Sequence, residues 1–235
     1  MKKKEEKVTS DILPVNRSKE EAKRFYDRIS GVYDFTGVFE RKYSRMAIEL
    51  LSIKEGETVL EIGFGTGHSL SRLAKSVGKT GRVYGIDISS GMLEVTSERL
   101  YNSELLDKVK LHYGDAVNLP YSDGIFDVAF ISFTLELFDT NEIPRVLEEV
   151  RRVLKPWGRV GVVSISKENG RSLLLRLYEW AHKQWPKYVD CRPIYLEQSL
   201  RDSEYEIITK HKVKLFGLPV EIVVAAKERH RGHQK

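Results

Sequence analysis

The chain has 235 residues and a formal net charge of +5, with 41% hydrophobic and 31% charged residues. This composition is typical of a globular protein, and no apolar run reaches the roughly 18–20 residues that a transmembrane helix needs. The charged start of the chain has no apolar stretch and no small-residue cleavage site, so we predict no secretory signal. The single cysteine, Cys191, excludes an internal disulfide and cannot by itself build a thiolate metal site, which favours a cytoplasmic protein.

Much of the net positive charge lies in two terminal segments, residues 2–7 and 227–235. Charged tails of this kind are usually solvated, and no arginine-rich helix or zinc-finger spacing accompanies them. We therefore expect no nucleic-acid interface. The same charge is compatible with a peripheral contact at an anionic membrane surface.

Short β-branched runs alternate with helical patterns along the first part of the chain. Strands are predicted over residues 58–62, 82–86, 109–113 and 127–132. One helix follows Gly67, with apolar residues at i, i+3, i+4 and i+7, and another covers residues 90–101 with Ser89 or Ser90 as N-cap. The near-continuous apolar run in the fourth strand favours a central position that is buried on both faces.

The second half begins with the clearest helix, an apolar stripe from Ile143 to Leu154 that ends at the turn of residues 155–158. A fifth strand is predicted over 159–164, and helices over 172–185 and 194–201. The last two strands, 204–214 and 220–227, are too close in sequence for a crossover and should be antiparallel. The chain is therefore predicted to be α/β, with a Rossmann-like, seven-stranded mixed sheet whose last strand is antiparallel and helices on both faces.

A glycine-rich turn follows the first strand, in the run Glu61-Ile62-Gly63-Phe64-Gly65-Thr66-Gly67. Glycines let the backbone approach a ligand closely, and the free N–H groups of a helix start can meet a carboxylate or phosphate. A loop that merely needs positive φ is the alternative, which three alternate glycines disfavour. The spacing is G-x-G-x-G rather than the G-x-G-x-x-G of dinucleotide-binding proteins. Asp87 ends the second strand, where a carboxylate can bind ribose hydroxyls, so it indicates a nucleoside without identifying which one.

Later motifs discriminate between ligands. Gly114-Asp115-Ala116 follows the third strand, and Leu119-Pro120-Tyr121 and Phe126-Asp127 come next. In this order, together with the glycine-rich turn and Asp87-Ile88-Ser89, these motifs resemble those of the class I S-adenosylmethionine (SAM)-dependent methyltransferases. The resemblance covers roughly residues 57–165. The turn Lys155-Pro156-Trp157-Gly158 is also similar to that family's, with Trp157 in place of the usual first glycine.

The resemblance implies that SAM is the cofactor and S-adenosylhomocysteine its product. The implied cofactor-binding residues are Glu61, Gly63, Phe64, Gly65 and Gly67 around the methionine part, Asp87 at the ribose, Ile88, Met92, Asp115 and Ala116 at the adenine, and Ser132 and Phe133 at the methionine end near the acceptor. Core packing would explain Ile88 and Met92 equally well. No metal site is expected, because the six histidines are scattered and no acidic cluster accompanies them.

The segment from Tyr26 to Asp34 resembles the N-terminal segment of the ubiquinone/menaquinone biosynthesis methyltransferases and of related small-molecule and phospholipid methyltransferases. It implies a helical lid over residues 1–55, with Tyr26 and Tyr33 at the substrate, a methyltransferase domain over 56–228 and a basic tail over 229–235. Two aromatic residues that merely fix an N-terminal helix to the core are the alternative. The apolar helix predicted over 172–185 would form one wall of the acceptor site, although burial against the sheet gives the same composition.

We therefore predict an enzyme that transfers a methyl group from SAM to a small or lipid-like acceptor, such as an isoprenoid quinol. Methylation of phospholipids or of nitrogen or oxygen in other small molecules, a non-catalytic SAM-binding module and an NAD-dependent oxidoreductase are the alternatives. The catalytic residue stays unassigned, because Glu136, His68 and Asp190 each also fit a structural role.

Overall fold

The computed structural model describes residues 12–15, 18–36, 39–167, 173–185 and 191–227, without the side chains of residues 31–36. The predictions for the Tyr33 side chain, for Asp190 and for the basic tail therefore lie outside the described residues. The helices are α1 (Lys19–Thr36), α2 (Arg41–Leu50), α3 (His68–Ser76), α4 (Ser90–Asn102), α5 (Ile143–Val153), α6 (Leu173–Gln184) and α7 (Leu196–Asp202). The strands are β1 (Thr58–Ile62), β2 (Arg82–Asp87), β3 (Val109–Tyr113), β4 (Phe126–Ser132), β5 (Leu154–Ile165), β6 (Tyr205–Leu215) and β7 (Leu218–Lys227).

The seven strands form one sheet in the order β3-β2-β1-β4-β5-β7-β6. All neighbouring pairs among the first five strands are parallel, whereas β7 is antiparallel to both β5 and β6. Strand β6 therefore runs with the first five, and β7 alone is reversed. The predicted seven-stranded mixed sheet with an antiparallel last strand is confirmed.

Two hydrophobic layers cover the two faces of the sheet, because successive side chains of a strand point to opposite faces. On one face, Leu60 and Ile131 belong to a cluster that includes α5 and α7. On the other face, Val59 and Phe130 belong to a cluster that includes α2 and α3. Strand β4 is therefore buried on both sides, as its apolar run predicts, and helices lie on both faces. None of the described helices is both long enough and apolar enough to cross a bilayer.

The connection between β6 and β7 is shorter than the sequence predicts. It consists of Phe216 and Gly217, whose φ angles are +50° and +87°. Two residues with positive φ are what a tight hairpin turn needs to match the twist of its strands. Both strands therefore extend into the predicted five-residue loop, as far as Leu215 on one side and Leu218 on the other.

Two other predicted boundaries are wrong. Strand β5 begins at Leu154 rather than at residue 159, and residues 155–158 form an irregularity in it opposite β4. The ammonium of Lys155 lies 2.7 Å from the carboxylate of Asp127 in β4, which holds this segment beside the strand instead of in a free turn. Ile194 is not helical, because its N–H donates to the Ile165 carbonyl and it forms a bridge with Ser166 before α7 begins. The other boundaries differ from the predicted ones by a residue or two.

The amino ends of the central strands are held by ion pairs. The guanidinium of Arg159 donates to both carboxylate oxygens of Glu57, at 2.9 Å each, and to the Leu51 carbonyl at 2.6 Å. Asp127 accepts from the Thr58 N–H at 2.9 Å as well as from Lys155. Partial burial opposes ionisation of both carboxyls, but these donors outweigh it and hold the pKa of Glu57 and of Asp127 below the ordinary values.

Candidate functional site

A cavity of about 210 Å³ opens at the carboxyl ends of β1, β2 and β4. In the sheet, β1 lies between β2 and β4. After β1 the chain forms β2 and β3 on one side of β1, and it then returns to form β4 on the other side of β1. Ligands of open α/β sheets bind in the crevice at this switch point. Every predicted cofactor-binding residue except Gly67 lines the cavity, namely Glu61, Gly63, Phe64, Gly65, Asp87, Ile88, Met92, Asp115, Ala116, Ser132 and Phe133.

The three glycines of the turn after β1 have different surroundings. A Cβ atom at Gly63, where φ is +70°, would lie 2.3 Å from the Thr134 side chain, so only glycine lets the loop after β4 come this close. Gly65 has φ of +50°, and a Cβ atom there would meet no atom within 4 Å, which leaves open space beside the cavity. Gly67 precedes α3 and lies against Thr96 rather than in the cavity wall.

Asp87 connects the end of β2 to the glycine-rich turn. One carboxylate oxygen accepts from the Gly65 N–H and the other from the Ser89 N–H, both at 2.9 Å. Burial raises the pKa of Asp87 to about 6, and these backbone hydrogen bonds oppose the rise. The carboxylate keeps acceptor capacity beyond these bonds, so the group can still accept from a ribose hydroxyl.

Glu61 is a buried carboxyl group in the cavity wall, with 2% of its surface exposed. Among the described residues, its Oε2 atom has no hydrogen-bond partner. Burial and the nearby Asp87 carboxylate raise the pKa of Glu61 well above the ordinary value. A buried oxygen without a donor is costly, and a cationic ligand group such as the ammonium of SAM would satisfy it. The Glu61 and Asp87 carboxyl groups therefore fit an amino-acid-bearing nucleoside.

The end of the cavity that is predicted to hold the adenine combines apolar side chains with one acid. Met92 lines the cavity and also packs in the core, so its position is compatible with both interpretations of this residue. Asp115 accepts from the Val117 N–H at 3.1 Å through one oxygen, and its other oxygen lies 2.6 Å from Lys19 Nζ. Sequence reasoning missed Lys19, which also contacts Glu142 at 2.5 Å.

Helix α1 lies against the side of the cavity that is predicted to hold the adenine. Lys19 and Tyr26 both line the cavity. Further along the helix, the Asp27 carboxylate accepts from the Ser89 hydroxyl at 2.7 Å and from the Gly91 N–H at 2.9 Å. Two polar anchors therefore attach α1 to the sheet domain, one at Lys19 and one at the start of α4.

The opposite end of the cavity lies where β4 ends. Phe133 has a φ of +50°, an uncommon conformation for a side chain of this size, and its N–H donates to the Val163 carbonyl at 2.9 Å. The hydroxyl groups of Ser132 and Ser44 lie 2.8 Å apart, which places α2 at this end. Helix α6, predicted as an acceptor wall, contributes His182 to the cavity lining. Neither Ser44 nor His182 belongs to a motif in the sequence.

A buried arginine ties three chain segments together behind this end of the cavity. The guanidinium of Arg192 is fully buried, and burial lowers its pKa to about 10. It donates to the Leu13 carbonyl at 2.8 Å, to the Thr140 hydroxyl at 2.8 Å, to the Glu136 carbonyl at 3.2 Å and to the Phe138 carbonyl. Phe138 itself lines the cavity, so Arg192 fixes part of the wall from behind.

Of the three side chains that the sequence offers as a catalytic base, Glu136 and His68 lie within the described residues. Glu136 is fully buried but does not line the cavity, and its Oε1 atom accepts from the Ile165 N–H at 3.2 Å. Burial raises its pKa to about 8. His68 does line the cavity, and its Nδ1 atom lies 3.4 Å from the guanidinium of Arg99.

The comparisons with known proteins agree with this geometry. The model of the ubiE/COQ5 methyltransferase family matches residues 2–193. The ubiquinone/menaquinone biosynthesis C-methyltransferase UbiE of Hydrogenovibrio crunogenus is 35% identical over 173 residues, which cover 72% of this chain and 67% of that protein. The demethylmenaquinone methyltransferase of Thermotoga maritima is 32% identical over 178 residues, 74% of either chain.

Solved structures show the same fold. A SAM-dependent methyltransferase from Aquifex aeolicus superposes with a TM-score of 0.60 at 24% identity, covering 78% of this chain and 89% of that one. The geranyl diphosphate C-methyltransferase from Streptomyces coelicolor A3(2), in complex with S-adenosyl-L-homocysteine, superposes with a TM-score of 0.66 at 14% identity, covering 80% and 76%. The prediction of a SAM-dependent methyltransferase is confirmed over the nicotinamide alternative, and the chain belongs to the ubiE/COQ5 methyltransferase family.

Proposed function

We propose that this enzyme methylates a ring carbon of a quinol that carries an isoprenoid tail. The names of its relatives support a carbon acceptor of this kind, including the C-methyltransferase and the demethylmenaquinone methyltransferase. The observation that carries the proposal is the shape of the cavity, which continues past the end of β4. There it is lined by the apolar side chains of Phe133, Leu137 and Phe138, which suit a flat aromatic ring.

The proposed cofactor pose follows the polar groups of the cavity. Glu61 binds the ammonium of SAM, Gly63 and Gly65 approach its methionine part, and Asp87 binds the ribose hydroxyls. The adenine lies among Ile88, Met92, Asp115 and Ala116. Bound in this way, SAM supplies an electrophilic methyl group on its sulfonium, and the protein has mainly to orient the acceptor for in-line attack and exclude water.

We further propose that residues 1–55 act as a lid over the methyltransferase domain, residues 56–228. The support is that Lys19 and Tyr26 of α1 line the cavity while Asp27 attaches the same helix to α4. Tyr33 is proposed as a second lid residue at the substrate. Gly67 is proposed to act on the cofactor only indirectly, as the residue that starts α3.

A cytoplasmic location with a peripheral membrane contact completes the proposal. An isoprenoid tail keeps its quinol in the bilayer, and no helix among the described residues could cross it, so we propose that the enzyme meets its substrate at the surface. The net charge of +5 supports attraction to an anionic leaflet.

The test is to incubate the protein with methyl-labelled SAM and chemically reduced demethylmenaquinone, with a cell lipid extract in parallel, and to identify the labelled product by mass spectrometry. We expect the label on the quinol ring. A label on phospholipid would instead support the phospholipid alternative, and SAM binding without any labelled product would support a non-catalytic module.

The cofactor pose is tested in the same preparation with Asp87→Ala. Loss of charge-assisted hydrogen bonds to the ribose should weaken SAM binding by about 1–3 kcal/mol in calorimetry. Asp107→Ala is the matched control, because Asp107 is exposed and lies in the short turn before β3, away from the cavity. Equal SAM affinity in the two variants would contradict the ribose assignment.

A further inference from the structure

We propose that one apolar face of the protein docks on an anionic phospholipid bilayer. The inference rests on the proposed function, since a tailed quinol dissolves in the bilayer, and it identifies which surface meets the membrane. The surface, called the apolar patch, consists of side chains on the outer face of α6 and just after it, at the tip of the β6–β7 hairpin, and at Phe39 shortly before α2. Its members are Phe39, Leu173, Leu177, Trp180, Trp185 and Phe216.

These side chains are unusually exposed for their type. Each of the six has between 50% and 80% of its surface in solvent, with Leu173 the most exposed. Single exposed apolar residues are normal on a protein surface, whereas a group of large ones that touch each other marks a binding surface.

The members of the apolar patch lie next to each other. The rings of Phe39 and Phe216 are 4.7 Å apart between centroids, and those of Trp180 and Trp185 are 5.4 Å apart. A shallow groove lined by Leu174, Leu177, Tyr178, Ala181, Phe216 and Leu218 joins α6 to the hairpin. The patch is therefore continuous from Phe39, across the hairpin tip, to α6.

Helix α6 also connects the patch to the methyl-transfer site. Its opposite face buries Leu175 and His182, and His182 lines the cofactor cavity. One side of a single helix thus faces the cavity while the other faces solvent. A quinol ring that leaves the bilayer beside α6 would have to travel about one helix diameter, roughly 10 Å, to reach the cavity.

Positive charge surrounds the patch. Arg176 and Lys183 are exposed on α6, and Lys42 and Lys214 are exposed on the neighbouring α2 and β6. The Tyr43 hydroxyl donates to the Lys214 carbonyl at 2.7 Å, which holds the start of α2 against the end of β6.

This charge distribution favours an anionic bilayer as the occupant. Helix α6 has one acidic residue, Glu179, and its carboxylate pairs with Lys167 at 2.9 Å. Cations around exposed tryptophan and leucine side chains match anionic headgroups above acyl chains. A second copy of this chain would instead bring like charges together.

The main experiment measures binding to vesicles of mixed phosphatidylcholine and phosphatidylglycerol by co-sedimentation. Leu177→Gln should weaken binding by about tenfold, because the side chain no longer enters the acyl region. Lys183→Gln should weaken it by about fivefold, the effect of one basic residue near a charged surface. Leu106→Gln is the matched control, since Leu106 is an exposed leucine in the turn before β3 and should leave binding unchanged.

Tryptophan fluorescence gives an independent measurement. The chain has three tryptophans, and Trp157→Phe leaves only Trp180 and Trp185, both in the apolar patch. The emission of this variant should shift to shorter wavelength when the mixed vesicles are added. An unchanged spectrum, or wild-type vesicle binding by Leu177→Gln, would overturn the proposal.

Two further outcomes would also overturn it. Equal binding to vesicles of phosphatidylcholine alone would contradict the role of charge. Self-association in the ultracentrifuge that Leu177→Gln abolishes, without vesicle binding, would make the patch an interface between copies. Vesicle binding requires no methyl transfer, so a failure of the proposed reaction would leave this test intact. Transfer to a quinol analogue without a tail should be equal in wild type and Leu177→Gln.

Discussion

The acidic residues at the two ends of the sheet differ in their partners and in the direction of their pKa shifts. At the amino ends, Glu57 and Asp127 are paired with Arg159 and Lys155, and their pKa values are lowered. At the carboxyl ends, Glu61 and Glu136 are buried, and each has one oxygen without a hydrogen-bond partner in the described part of the chain. The pKa values of these two are raised.

The comparison shows at which end of the sheet the carboxyl groups lack a full set of partners within the described residues. The amino ends are already neutralised within the chain and need nothing further. Near the cofactor cavity, burial leaves two carboxyl groups whose ionised form the protein does not compensate, and SAM carries both an ammonium and a sulfonium. Perturbed acids of this kind cluster at functional sites, because a ligand that supplies the missing charge gains affinity from it.

The largest expected effect comes from Arg192, a buried cation near the carboxyl ends of the strands. Arg192→Met leaves three carbonyl groups and a hydroxyl without their donor, so we expect the free energy of unfolding to fall by about 3–5 kcal/mol in urea denaturation. SAM affinity should fall as well, because Phe138 loses its support. Arg159→Met is the control at the other end, and it should lower stability without weakening SAM binding. Equal losses of SAM affinity in both variants would contradict the view that only the carboxyl ends of the strands support SAM binding.

A second expected effect is on the pH dependence of stability. The folded chain holds the Glu136 proton up to a pKa of about 8, against an ordinary value of 4.5. This contribution is complete below the ordinary value and is lost as pH rises toward 8. Above pH 6.5, beyond the pKa of about 6 for Asp87, wild-type unfolding free energy should therefore fall by about 1 kcal/mol per pH unit.

Glu136→Gln provides the comparison for that measurement, because its side chain stays neutral at every pH. Its stability should fall less than that of the wild type between pH 6.5 and 8 in thermal or urea unfolding. Parallel curves for the two proteins would show that Glu136 does not titrate in this range.

The smallest expected effect is a change in the free energy of unfolding, which has opposite signs for substitutions at the two ends of the sheet. Glu61→Gln removes a buried, incompletely paired carboxyl and should raise the stability of the ligand-free protein by about 1 kcal/mol at pH 8, while it weakens SAM binding. Glu57→Gln breaks a paired one and should lower stability by about 1 kcal/mol with SAM binding unchanged. Urea denaturation and calorimetry distinguish these outcomes, and a stabilising Glu57→Gln would contradict the comparison.

The sheet and the centre of the site could be predicted because their signals are local. The alternation of strands and helices predicted the α/β class of the sheet. The apolar run of β4 predicted that this strand is central. The glycine-rich turn and Asp87 lie at strand ends that the topology brings together. These positions depend on residues close in sequence, so the pattern alone determines them.

The contacts between distant segments could not be predicted. Lys19 reaches Asp115 across 96 positions of sequence, and Arg192 reaches Leu13 across 179. Neither pair has a spacing or motif that distinguishes it from other charged residues. The irregularity in β5 was missed for a related reason, since it depends on an ion pair between Lys155 and Asp127 of another strand.

The place of β7 in the sheet has a consequence for how the chain is made. Strand β7 leaves the ribosome after both β5 and β6, yet it lies between them and pairs with both. Until Leu218–Lys227 has emerged, β5 presents an open edge and β6 has no neighbour in the sheet. The nascent protein therefore completes this sheet only after residue 227 has been synthesised, well after the first five strands have emerged.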